Sequence, residues 1–144
     1  MPEKKYKDII KKQHGFKGQK AIVLPRQVIN VCQAQELHSN LYITDIGFYP
    51  RAAHHYRERD HGSEQHILIY CTGGKGWVTL DEQTIPINEG EYLIIPKNVT
   101  HRYGADETIP WSIYWAHFNG KASDSFVELL LKNCKAHVGY AAYN

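Results

Sequence analysis

"GEYLIIPKNVTH", residues 90–101, is the stretch on which the fold turns. Gly90 opens a turn. Tyr92, Leu93, Ile94 and Ile95 form an unbroken apolar run, Pro96 stops it, and His101 follows five positions later. A run this short, held between a turn glycine and a proline, reads as a buried strand rather than a helix. Asn98 lies in the reversal that follows. After glycine, asparagine is the residue best suited to a positive φ there.

The same reading extends to both sides. "HILIYCT" (66–72) is a continuous apolar run closed by the turn "GGKG" (73–76). "WVTL" (77–80) and "TIPI" (84–87) flank the polar "DEQ" and predict a hairpin. In "WSIYWAHF" (111–118) a two-residue period puts Trp111, Ile113, Trp115 and His117 on one face and Ser112, Tyr114, Ala116 and Phe118 on the other. Both faces are largely apolar, so neither is simply solvated. Upstream, "AIVLP" (21–25), "VINVC" (28–32) and "LYITDIGFYP" (41–50) are further apolar runs. Short strands at regular spacing with Gly/Pro turns predict a mostly-β sandwich or small barrel. The pattern then changes to a helical stripe in "KASDSFVELLLKNCKAH" (121–137), with Ser123 or Asp124 as candidate N-cap.

Composition bounds the function. The chain has 144 residues, enough for one domain with a core, and a net charge of +2, too small for general nucleic-acid binding. Residues 1–20 hold seven lysines against Glu3 and Asp8 and read as a solvated arm. Cys32, Cys71 and Cys134 are odd in number, widely spaced and set among apolar neighbours. They predict buried free thiols rather than a disulfide framework or zinc cluster. With no signal-peptide core and no membrane-length apolar run, a cytoplasmic protein is expected. There is no GxSxG, Walker loop or HExxH, and Glu89 and Glu91 flank a turn glycine as solvated carboxylates.

The Gly90–Pro96–His101 pattern resembles the second motif of the cupin superfamily, whose fold is a jelly roll or double-stranded β-barrel. That resemblance implies a histidine pointing into the barrel. It also gives a register for "HHYRERDHGSEQH" (54–66), which carries four of the nine histidines. Metal-binding cupins place two histidines one residue apart, then a glutamate, then a glycine seven positions on. Counted back from Gly73, His66 falls in the glutamate slot, and Arg59 and His61 fall in the histidine slots. A guanidinium cannot ligate and repels a divalent cation. No metal or other cofactor is therefore expected, and His61, His66 and His101 remain the alternative metal set.

"HILIYCTGGKGW", "GEYLIIPKNVTHRYGAD" and "PWSIYWAHFNG" occur in that order, after "GFKGQKAIVLP" and "NLYITDIGFYPRAAHHYRERDHGSEQH". The string resembles the N-terminal effector-binding domain of AraC-type transcription regulators from residue 15 onward. The resemblance implies a barrel over 21–120 that binds a small effector, often a sugar. It implies a helix within 121–144 that begins a linker or dimerisation region, and a homodimer. It implies DNA contact only through a C-terminal helix-turn-helix domain outside these residues. In the arabinose-responsive member an arginine, a tyrosine and a tryptophan line the sugar pocket; the matching positions are Arg59, Tyr103 and Trp115. A further histidine of that pocket is Ile113 here, which argues against arabinose itself.

The residue chemistry suits a polyol pocket. Arginine offers a fixed fork of donors, tyrosine a two-way hydroxyl, and tryptophan a flat apolar face for a sugar's C–H groups. Neutral His66 and His101 can each donate and accept. The candidate ligand-binding set is Arg59, His66, His101, Tyr103 and Trp115, with no catalytic residue. Plainer readings compete: core packing for Tyr103 and Trp115, a surface ion pair with Glu58 or Asp60 for Arg59, and turn or surface pairing for Arg102 and Asp106. The competing functions are a metal-dependent cupin enzyme acting on a sugar or small metabolite, and a sugar-binding module of a secreted protein. No membrane partner is expected.

Overall fold

The computed structural model describes residues 10–141. Ten strands lie among them: β1 (Lys20–Val23), β2 (Tyr42–Tyr49), β3 (Tyr56–Arg59), β4 (His66–Gly73), β5 (Lys75–Leu80), β6 (Gln83–Asn88), β7 (Glu91–Ile95), β8 (His101–Ala105), β9 (Ser112–Asn119) and β10 (Val138–Tyr140). Two helices, α1 (Arg26–Ala34) and α2 (Ser123–Leu131), complete the regular elements, with a short 3-10 turn at His38–Asn40. The strands form a six-stranded sheet in the order β1-β2-β9-β4-β7-β10 and a four-stranded sheet in the order β3-β8-β5-β6. The paired strands run antiparallel in both. This is a mostly-β sandwich, as the strand spacing predicts, and it is cupin-like, as the motif resemblance implies.

The core fills the space between the sheets. Ile69, Ile113 and Leu93 enter from the larger sheet and Val78, Ile87 and Tyr103 from the smaller. The expected hairpin is β5–β6, whose tip Asp81 and Glu82 both take positive φ, as a tight two-residue turn requires. Pro86 is tolerated because β6 is an edge strand. Asn98 has φ 63°, the conformation expected of it.

Four local expectations need correction. "VINVC" lies within α1, a helix that buries none of its residues. Neither Ser123 nor Asp124 caps α2: Ala122 occupies the N-cap, and the Ser123 hydroxyl donates instead to the Gly120 carbonyl at 2.8 Å. The helix ends at Leu131, and the chain returns to the sheet as β10 beside β7. Of the three free thiols only Cys71 is buried; Cys32 and Cys134 are half-buried.

The lysine-rich segment is described from residue 10; its first nine residues lie outside the described part. Lys12 forms a bridge with His55, its N–H donating to the His54 carbonyl at 2.7 Å, while Tyr56 N–H returns a bond to the Lys12 carbonyl at 2.9 Å. Phe16 is buried against Tyr49 and His55. Lys12 and Phe16 therefore tie this segment to the barrel, while most of its other side chains are exposed.

Candidate functional site

A small pocket opens between the sheets, lined by residues of the N-terminal segment, β2, β3, β8 and β9. Strand alternation builds it. Arg57 and Arg59 share one face of β3, Tyr103 faces them from β8, and Ile113, Trp115 and His117 line it from β9. The three β9 residues are the face that the two-residue period marks out in sequence.

Arg59 is the hub. Its Nη1 donates to His101 Nε2 at 3.1 Å and to the Tyr103 hydroxyl at 3.3 Å. His101 Nδ1 in turn donates to the Val99 carbonyl at 2.8 Å, so Nε2 is the lone-pair nitrogen that accepts from arginine. Burial lowers the His101 pKa, the Val99 carbonyl partly offsets this, and the Arg59 charge lowers it further, which keeps the ring neutral. His101 stacks on Tyr103 with ring centroids 5.7 Å apart and planes 6° apart. Among the described residues Arg59 makes no ion pair with Glu58 or Asp60.

Trp115 lies flat over Gly47, where a Cβ would come within 2.5 Å of the indole. Its Nε1 is buried without a hydrogen-bond partner among the described residues. An unmet buried donor costs about 1–3 kcal/mol. Beside it, His117 Nδ1 lies 2.9 Å from Asp45 Oδ2, and the Thr44 hydroxyl donates to Asp45 Oδ1 at 2.7 Å. Burial pushes the Asp45 carboxyl up, but the bonds from His117 and Thr44 outweigh it and hold the group below its usual range.

His55 forms another part of the wall. Trp111 Nε1 donates to His55 Nδ1 at 3.0 Å. Burial, reinforced by the charges of Arg57 and Arg59, lowers the His55 pKa to about 3. Arg57 Nη1 donates to Gln13 Oε1 at 2.7 Å, so the N-terminal segment contributes a polar group to the pocket.

His66 does not belong to this group. It faces outward from β4, packs on Phe118, and accepts from Lys97 N–H through Nδ1 at 3.0 Å. Its Nε2 donates to Asp124 Oδ1 on α2 at 2.9 Å. Burial lowers its pKa, and Asp124 partly offsets that. His61 is exposed in the turn after β3. The alternative set His61, His66 and His101 is therefore split between an exposed turn and two faces, with both nitrogens of His66 and of His101 already engaged. No group of three His, Cys, Asp or Glu able to hold a metal exists among the described residues. Asp106 is in its turn: it accepts from Thr108 and Ile109 N–H and pairs with Lys75 at 3.9 Å.

The structure thus brings together Arg59, His101, Tyr103 and Trp115, and leaves out His66. Sequence reasoning missed Gln13, Asp45, Tyr49, His55 and Arg57. A signal for Arg57 was available, since it lies two residues before Arg59 and so on the same strand face. Gln13 and Asp45 carried no such signal, because strand pairing and chain return bring them in from a distance.

The arrangement is a cupin-like barrel with a polar interior pocket and no converging metal ligands among the described residues. The model of the AraC-like ligand binding domain family matches residues 45–133, and the chain belongs to that family. The MmsAB operon regulatory protein of Pseudomonas aeruginosa is 32% identical over 104 residues, covering 69% of this chain and 34% of that protein. The Msm operon regulatory protein of Streptococcus mutans is 27% identical over 78 residues, covering 53% and 28%. The chain therefore spans about a third of the length of these relatives. Among solved structures, the cupin domain of Schizosaccharomyces pombe Cnp3 has a TM-score of 0.48 at 13% identity, covering 75% of this chain and 69% of that one. A point variant of the oxalate decarboxylase of Bacillus subtilis has a TM-score of 0.48 at 15% identity, covering 92% and 40%. No helix among the described residues is long and apolar enough to cross a membrane.

Proposed function

We propose that this domain is a non-catalytic sensor. It binds a small, oxygen-rich effector of carbohydrate type between the sheets. Within a longer regulator, occupancy would bias a DNA-binding domain. The observation that carries this reading is the convergence of Arg59, Tyr103 and Trp115 on one interior pocket. Arginine and the tyrosine hydroxyl suit ligand oxygens, and the indole offers both a donor and a flat apolar face.

The open space in this pocket is ≈ 40 Å³. Bulk water takes about 30 Å³ per molecule, so a ring-sized effector needs side chains to move. Arg59 must exchange His101 and Tyr103 for the ligand, or Gln13 must release Arg57. A ligand that favours the rearranged state over the closed one has the differential affinity that signalling requires. The same reading expects a cytoplasmic homodimer.

A thermal-shift screen across mono- and oligosaccharides, with bound metal measured in parallel, tests the proposal. Ligand-specific stabilisation that disappears in Arg59→Ala and Trp115→Ala supports it. Stoichiometric iron, manganese or zinc removable only by chelation would overturn it in favour of a metal-dependent cupin enzyme.

A further inference from the structure

The pocket carries more positive charge than a neutral sugar needs. Arg57 and Arg59 both project into it, and the acceptors they meet are neutral: Gln13 Oε1 for Arg57, His101 Nε2 and the Tyr103 hydroxyl for Arg59. A guanidinium has five donors in a fixed fork, so both retain unused bonds. Among the described residues the carboxylates within ion-pair distance of a basic side chain are met by His66, Lys75, Lys97 and His117; neither pocket arginine takes part in such a contact. Two guanidiniums side by side on one strand face, neither with a carboxylate at ion-pair distance, make that face a place where an anion from elsewhere can bind.

The remaining groups do not supply that anion. Among the described residues Asp45 is the only carboxylate lining the pocket, and His117 and Thr44 already hold it. Two guanidiniums against one carboxylate leave the pocket positive. His55 and His101, beside the arginines, are kept uncharged by burial and by the same guanidinium charges. The lining thus keeps its arginine-side histidines uncharged while leaving fixed positive charge in excess over its one carboxylate.

We infer that the effector carries a carboxylate: the site takes a hydroxy acid or sugar acid in preference to the neutral polyol of the same shape. This rests on the sensor reading above and names the charge class of its ligand. The carboxylate would engage the Arg57–Arg59 face, where a bidentate pair is available. Hydroxyls would meet Tyr103 and Trp115 Nε1.

The test is calorimetric titration of the full chain with matched pairs at pH 7: glycolate against ethylene glycol, and D-galacturonate against D-galactose. The expected result is acid binding tighter by roughly ten-fold, since a charge-assisted hydrogen bond is about twice as strong as a neutral one. The preference should shrink as potassium chloride is raised. It should vanish in Arg57→Gln and Arg59→Gln and survive in Arg59→Lys, which keeps the charge. If the neutral partner binds as well as the acid, or salt and the charge-removing variants leave the preference intact, the charge inference fails and the sensor reading stands. If neither member of either pair binds and no saccharide stabilises the chain, both fail together.

Discussion

His101 and His66 are equally buried, each 2% exposed, yet they do opposite work. His101 opens β8 on the inner face, where Arg59 holds it at the pocket. His66 opens β4 on the outer face, where it ties the sheet to Asp124 of α2 and to the Lys97 backbone. The difference is one of strand parity: Ile67, Ile69 and Cys71 face inward from β4, so His66 and Leu68 must face out. A histidine in a buried strand is thus a ligand candidate or a fastening according to its side of the sheet.

The largest expected effect tests that parity within one strand. Ile113 is 0% exposed on the inner face of β9, and its neighbour Tyr114 is 53% exposed on the outer. Ile113→Ala should cost about 2–5 kcal/mol, the usual range for truncating a packed core residue. Tyr114→Ala should cost less than about 1 kcal/mol, since it removes mainly its contact with Phe48. Equal losses in chemical denaturation would mean the two faces are not inner and outer as described.

Acid should separate the two regions next. A histidine whose folded pKa is depressed binds its proton more readily unfolded, so stability is lost as pH falls below about 6.5 and down toward the folded value. His55 has a folded pKa of about 3 and should contribute through that whole window. Its slope is about 1.4 kcal/mol per pH unit at most. His101 and His66 have the same sign. Denaturation followed between pH 7 and 5 should show the decline, and His55→Gln should flatten it most. An unchanged slope in that variant would place the titrating group elsewhere.

Histidine removal compares the fastening with the pocket directly. His66→Ala leaves the Lys97 N–H without its acceptor and cuts the tie to α2, an expected loss of about 1–3 kcal/mol with effector binding unchanged. His101→Ala frees one side of Arg59 and should alter effector affinity more than stability. If His66→Ala abolishes binding while His101→Ala does not, the assignment of faces to roles is reversed.

Strands β4 to β7 and β9 were legible in sequence because Gly, Pro and polar turns bound them and because β9 alternates in a way that fixes its inner face; β3, β8 and β10 were not, since "YRER", "HRYGA" and "VGY" are short and carry no comparable apolar run. The face of His66 was not. "HILIYC" is apolar on both sides, since α2 covers the outer face with Phe126 and Leu130. Counting from Gly73 therefore located the residue without telling which way it points. Helix α1 escaped notice for a related reason: its valines remain exposed, so the run "VINVC" carried no packing signal to distinguish helix from strand. Arg59, Tyr103 and Trp115 were legible as candidates because family resemblance supplied their slots. Asp45 and Gln13 join them only through pairing of β2 with β9 and the return of the N-terminal segment.

The smallest effect concerns the turn that leads into β8. Asn98 lies between β7 and β8 at φ 63°, and its N–H donates to the Ser63 carbonyl at 2.8 Å. This conformation costs an ordinary residue about 1–2 kcal/mol, and asparagine less. Asn98→Gly should therefore change stability by only a few tenths of a kcal/mol: relief of the remaining strain offsets the added freedom of the unfolded chain. Asn98→Val should cost about 1–2 kcal/mol, because a β-branched residue fits this region poorly. If the turn alone holds the register, Asn98→Val should also weaken the Arg59–His101 contact and reduce effector binding. A destabilised variant that binds normally would show instead that pairing of β8 with β3 and β5 is enough to keep His101 on the inner face.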